Sequence, residues 1–354
     1  MTLGPSSDAL SELSRRRSVP AQIAELSERY RNAALRCLEA GNYPWQQNVT
    51  TLQALIILIY SINHGHGQTW TLLGMAYHIA LSLGYHVDPS EFNLDVISSE
   101  ERRRCWAGVM MLYMIQNTSM GNVGPNPWDA SEGVQMPSDL NGVDLVVDEY
   151  VLPPTKNHAT QMSYLLLKFR LHHISHEIAL IIRNSPKPQS SLIERLDRSV
   201  SGQQQSWYDK YTAHQALAML PTCHRVHFKI LQGYAHQLML LLHNHAMRTF
   251  TAETSQFRRS TSKVLNSAKE QLQIHNVFFT EPDYTPFGWC LRGICSFHAY
   301  HAAVSLVTVL VEQSWNETYG AFLPLLQQCA ARFEALAEVS VICSKAAPVL
   351  KDML

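Results

Sequence analysis

The sequence predicts an all-α protein, one large helical domain of about ten helices over residues 21–354 behind a disordered tail at 1–20. Apolar residues recur near the 3.6-residue helical period along almost the whole chain, and the period-2 alternation that marks strands is nearly absent. Hydrophobic residues make up 46% of the chain and charged residues only 16%. An average soluble domain carries roughly 25% charged residues. A chain so poor in charge buries much of its surface or shares some with a partner.

Each element follows from local chemistry. Ala21 to Ala40 is amphipathic and is stopped by Gly41. Thr50 or Thr51 offers a cap for the next helix, whose segment LQALIILIYSI is apolar all round and therefore central. His64-Gly65-His66-Gly67 breaks it. Thr69 to Leu83 follows, with Trp70, Leu73, Tyr77, Ala80 and Leu81 on one face. Gly74 is expected where a neighbouring helix approaches, so that leucine there should destabilise, and Gly84 is expected at the C-terminal stop. Ser98 with Glu101 reads as a capping box opening a helix toward Met120. A long break from Gly121 to about Pro154 comes next. Beyond it the pattern predicts helices near 158–184, 189–218, 222–250, 252–277, 285–314 and 318–347.

Composition narrows the function. Lys plus Arg total 28 and Asp plus Glu 29, a net charge of -1, which argues against a protein that coats nucleic acid. The 7 cysteines contain no Cys-x-x-Cys pair, the closest being Cys290 and Cys295, so neither a disulfide scaffold nor a structural zinc site is expected. The N-terminal residues lack the apolar stretch of a secretory signal, and Asp8 and Glu12 are foreign to a mitochondrial presequence. No apolar run reaches the roughly 18 residues of a membrane span. The expectation is a protein of the nucleus or cytoplasm with no membrane partner.

Several segments, in order, carry a resemblance. Thr51-Leu52-Gln53-Ala54-Leu55 opens it, and Trp70-Thr71-Leu72-Leu73-Gly74-Met75-Ala76 with Ala80-Leu81-Ser82-Leu83-Gly84-Tyr85-His86 is its most recognisable part. Glu101-Arg102-Arg103-Arg104-Cys105-Trp106 and Met136-Pro137 follow, with weaker echoes at Leu242-His243 and from Cys295 to Ala303. In this order they resemble the regulatory domain of fungal-specific transcription factors, the helical domain that accompanies a zinc binuclear-cluster DNA-binding domain. The resemblance runs from about Tyr30 to Ala347. Three features depart from it. The Cys-x2-Cys-x6-Cys halves of the zinc cluster do not occur in this sequence, Gln116-Asn117 stands where the family carries an Asp-Arg pair, and Gly124-Pro125 lacks the Arg of the usual Gly-Arg-Pro. The last two fit together, because an Arg released from a buried pair is an uncompensated charge.

Histidine is the overused polar residue, with 17 in the chain. His172 and His176, near His173 and Glu177, share a helical face at i, i+4, and His298 and His301 lie at i, i+3. His236, His243 and His245 lie on a third helix. Core or surface imidazoles satisfied by neighbours are the expectation, with no metal and no cofactor. No Gly-x-Ser-x-Gly elbow, phosphate loop or dinucleotide fingerprint is present. Arg102-Arg103-Arg104 is expected as a solvated first turn with one Arg packed inward, and Ser14-Arg15-Arg16-Arg17-Ser18 as a nuclear-localisation candidate. Trp207, Tyr208, Tyr211, Trp289, Met239 and Met247 are expected in the core or around an apolar cavity.

The resemblance implies a regulator that senses a small-molecule effector or contacts a full-length transcription factor or a second copy of itself, without reading a DNA sequence alone. The alternative is a cofactor-independent catalyst, cyclase- or isomerase-like, in a fungal small-molecule pathway. Its acid/base groups would be His176 and His301.

Overall fold

The computed structural model describes residues 20–64, 69–119, 133–145, 156–185, 187–251, 254–312 and 316–354. The tail with its Ser14–Ser18 run, Gly65 to Gly67 and Gly124-Pro125 lie outside the described residues. The fold is all-α, and no strand occurs among the described residues. The chain divides into two compact units, residues 1–166 and 167–354.

The N-terminal unit is built on α1 (Pro20–Ala40), α2 (Val49–His64), α3 (Trp70–Ser82) and α4 (Val96–Ser119). Helix α2 packs against α1, α3 and α4, as its all-round apolar sequence requires. Leu52, Leu55, Ile59, Leu73, Ala76, Ile79, Trp106, Val109 and Met110 form the sealed centre. Trp70 lies outside it, half exposed, so the inward face of α3 is Leu73, Ala76, Ile79 and Ala80.

Two helix starts fall earlier than expected. Asn48, not Thr50 or Thr51, caps α2 by accepting the Thr51 N–H at 2.9 Å. Asp95 caps α4 by accepting the Ser98 N–H at 2.9 Å, which turns Ser98 from cap into third helical residue. In both cases a carboxylate or amide oxygen one turn upstream outcompetes a hydroxyl.

The two glycines of the signature differ in role. Gly84 sits at φ 73°, donating its N–H to the Leu81 carbonyl while Tyr85 donates to Ala80, and so terminates α3 as expected. Gly74 is not a contact point, because a Cβ there would meet nothing within 4 Å. The close approach falls instead at Gly108 on α4, where a Cβ would stand 3.1 Å from the Ile56 side chain of α2.

The C-terminal unit comprises most of α5 (Ser163–Asn184), then α6 (Ser190–Thr212), α7 (Thr222–Met247), α8 (Ser255–Thr280), α9 (Trp289–Arg292), α10 (Ile294–Glu312), α11 (Asn316–Leu336) and α12 (Val341–Asp352). The pair α7–α8 is its spine, with α10 packed on both. Ala299, Ala302 and Ala303 give α10 a flat face that lies closely on Leu240, Val264, Ala268 and Leu272. A smaller cluster around Val226, Ile274, Phe278, Tyr284, Cys290 and Cys295 closes one end.

Two expected long helices are divided. Residues 282–287 form a 3-10 turn containing Pro282 and Pro286, and Gly293 separates α9 from α10. Ser340 starts α12 by accepting the Cys343 N–H, which splits the predicted helix 318–347. By length and composition the Ile294–Val311 stretch could also cross a membrane, contrary to the expectation that no run would be long enough. It is 61% buried within the protein and is the core helix of its unit.

Candidate functional site

The signature residues of the N-terminal unit converge on one polar frame. Arg102, Arg103 and Arg104 lie at successive positions about two turns into α4 and therefore point in different directions. The Arg102 guanidinium donates to the Leu83 carbonyl at 2.8 Å, placing a cation at the C-terminus of α3, and lies 4.4 Å from the Tyr85 ring and 5.2 Å from Phe92. Arg103 grips Asp88 with two bonds, Nη2 to Oδ1 at 2.7 Å and Nε to Oδ2 at 3.2 Å. Arg104 bonds the sealed Glu100 carboxylate at 2.8 Å and the Leu140 carbonyl at 3.1 Å. The expectation of a solvated first turn with one inward Arg is therefore corrected. All three are engaged.

The two carboxylates then reach into the segment 133–145. Asp88 accepts the Gln135 N–H at 2.8 Å, and Glu100 accepts the Ser138 N–H at 3.0 Å. Burial pushes the Asp88 carboxyl upward, but Arg103 and the N–H groups of Gln135 and Ser90 outweigh it and hold the pKa well below the usual carboxylate range. Met136-Pro137 thus lies between two residues whose backbone N–H groups are held, Gln135 by Asp88 and Ser138 by Glu100 of α4. Gln116 lies on the other side, its amide oxygen 3.0 Å from the buried Thr69 hydroxyl at the entry of α3, a hydroxyl whose one proton is shared with Asn63 Oδ1 at 2.5 Å. A neutral hydrogen bond serves at the position where the family's ion pair would be.

Several buried histidines of the C-terminal unit are held neutral. His298 is sealed and lies parallel to the Tyr234 ring at 6.5 Å, and burial, reinforced by His301 and Lys168, drives its pKa down to about 3. His301 bonds the Gln237 amide oxygen at 3.2 Å through Nδ1, and burial, then Arg248, lowers its pKa. His172 falls to about 4, from burial first and then the neighbouring His176, Lys168 and His173. His176 itself is half-buried on α5, a different helix from that of His301. His173 sits on the exposed side, 3.6 Å from Glu177. His236, also buried, falls to about 4, and His245 meets the Ser185 carbonyl at 2.9 Å. Among the described residues no three His, Cys, Asp or Glu side chains are grouped to hold a metal.

Two further polar groups escaped the sequence because their partners are distant along the chain. Arg332 donates to His275 Nδ1 at 3.2 Å and to the Asn276 amide oxygen at 3.0 Å. That bond assigns the imidazole proton to Nε2, which stands 3.1 Å from the Ser296 hydroxyl. Burial, then Arg332, drives His275 down to about 3. Asp197, sealed on α6, takes Lys263 at 2.9 Å and Arg259 at 3.3 Å from α8, with His243 Nε2 at 3.8 Å from α7. It lines a narrow crevice with Ser190, Glu194, Arg259 and Ser260. Of the aromatic and Met candidates, Trp207, Tyr211, Met239 and Met247 are core, whereas Tyr208 is half exposed.

Residues 42–214 match the fungal specific transcription factor domain. It is similar to a transcriptional regulatory protein of Schizosaccharomyces pombe, 22% identical over 76% of this chain and 41% of that protein. A pyrrolocin cluster transcription factor of a fungal species is 26% identical over 75% of this chain and 35% of its own length. A fusarisetin A cluster transcription factor of a Fusarium species is 23% identical over 85% of this chain and 41% of its own. The chain therefore spans well under two thirds of the relatives it matches. No solved structure matches it.

Proposed function

We propose that the chain is the helical regulatory region of a transcription regulator that controls a fungal gene set, acting in the nucleus on genes of a small-molecule biosynthetic cluster. The observation that carries this reading is the family match over residues 42–214, together with the joining of its signature residues into one frame around Asp88 and Glu100. Similarity to regulators of pyrrolocin and fusarisetin A clusters supports the choice of gene set. The region receives a signal, a small molecule or a partner transcription protein, through differential affinity for two conformations.

Deleting the gene tests the reading. Transcripts of a clustered gene set should change, and the purified chain should convert none of the accumulated intermediates. Unchanged transcripts, with one intermediate consumed by the purified chain, would contradict it.

A further inference from the structure

The crevice between α6, α7 and α8 has a polar floor and two apolar walls, Ile193 and Phe250. On the floor lies His243, 2% exposed, whose Nε2 has no hydrogen-bond partner among the described residues. The other ring nitrogen, Nδ1, stands 3.1 Å from the Ser260 hydroxyl. Nε2 faces Asp197 Oδ1 across 3.8 Å, which is beyond hydrogen-bonding reach. With the Nδ1 proton donated to Ser260, Nε2 is an acceptor. Two acceptors at that separation suit one donor group placed between them.

The mouth of the crevice is held loosely. Arg259, half exposed, spans Glu194 at 3.6 Å and Asp197 at 3.3 Å, both longer than the roughly 2.7–2.9 Å of a charge-assisted hydrogen bond. Lys263, by contrast, holds Asp197 at 2.9 Å. Swinging Arg259 into solvent leaves two carboxylates, Glu194 and Asp197, against the single charge of Lys263.

We infer that this crevice binds the ammonium group of a small primary amine with an apolar body, which takes the place of the Arg259 guanidinium. An ammonium carries three donors on one compact atom, and Asp197, His243 and Glu194 supply three acceptors. One ammonium also restores the positive charge that leaves with Arg259. An anion entering there would meet both carboxylates. Ile193 and Phe250 take the apolar body of the amine. Arg259 competes for the same carboxylates, so the observed affinity is the intrinsic one reduced by the fraction of chains whose mouth is open. The inference rests on the regulatory reading, whose signal it names by class; binding is read on the purified chain, whereas that reading is tested on transcripts.

Titration calorimetry of the full chain at neutral pH uses phenethylamine as the probe, with phenethyl alcohol and phenylpropionate as matched controls. The amine should bind, and the alcohol and the acid should bind at least about tenfold more weakly. Arg259→Ala should tighten the amine by about threefold or more. Asp197→Asn should weaken it by about tenfold. Glu334→Gln, exposed on α11 in the same unit, should leave it unchanged. Should Asp197→Asn lose helicity by circular dichroism, Glu194→Gln carries the same direction of change. No amine binding by the native chain or by Arg259→Ala up to about 10 mM, equal binding of all three probes, or weaker binding by Arg259→Ala would each overturn the inference.

Discussion

The N-terminal unit pairs its buried charges within one frame, Arg103 with Asp88 and Arg104 with Glu100, whereas the C-terminal unit, besides the cluster of Asp197 with Lys263 and Arg259, buries several imidazoles and keeps them neutral. The difference is one of reach. Arg103 and Arg104 lie about two turns into α4, close to carboxylates on the same helix and on the preceding loop, and backbone N–H groups from 133–145 fill the remaining acceptor sites. Each charge is therefore desolvated only where a partner replaces the water. His275 and His298 sit where the apolar core excludes water, and there a neutral ring bonded to Ser296 or stacked on Tyr234 costs less than an ion. Moderate acid therefore bears on the imidazoles before it reaches the paired carboxylates.

The largest expected effect comes from breaking a pair in the first unit. Arg104→Met leaves the Glu100 carboxylate sealed against only the Ser138 N–H, and should destabilise by about 3–5 kcal/mol in chemical denaturation. Adding Glu100→Gln should return part of that loss. A single variant with unchanged stability would show that the frame is ornamental.

Acid should act on the other unit. The unfolded chain takes up protons on His275 and His298 near pH 6.5, while the folded chain resists until about pH 3. Stability from these groups is complete above pH 6.5 and is lost as pH falls toward 3. At full slope each contributes about 1.4 kcal/mol per pH unit, so the two together contribute about 2.7. The Asp88 carboxyl is depressed instead, so its contribution persists until pH falls below the ordinary carboxylate value of 3.8. Denaturation midpoints measured at pH 7, 6 and 5 should fall steadily. A flat profile would mean that the imidazoles are hydrated.

A smaller contrast lies within the first unit. Gly108→Val should cost about 1–3 kcal/mol by pressing on Ile56. Gly74→Ala, in open space, should stabilise by about 0.5–1 kcal/mol. Equal melting temperatures would remove Gly108 as the close contact of α2 and α4.

These two glycines also show how far the sequence could be read. Helix positions were legible because apolar periodicity is a local signal, and Gly84 because its helix ends there. Gly74 and Gly108 both sit mid-helix, and which one faces a neighbour depends on crossing geometry that no local pattern contains. The caps at Asn48 and Asp95 were obscured by the hydroxyls following them. The importance of Arg102, Arg103 and Arg104 was visible as a motif, but their partners Asp88 and Leu140 lie across loops. Arg332 with His275, and Asp197 with Lys263, are 57 and 66 residues apart, beyond any spacing rule.

Hydrogen exchange of the full chain at pH 7 and pH 5, corrected for the intrinsic pH dependence of amide exchange, tests the contrast most directly. Protection in α7, α8 and α10 should fall on acidification, while α2, α4 and the backbone N–H groups of Gln135 and Ser138 keep theirs. Loss of protection first at Gln135 and Ser138, with α8 and α10 unchanged, would contradict the reading that buried neutral imidazoles make the C-terminal unit the first to yield to acid.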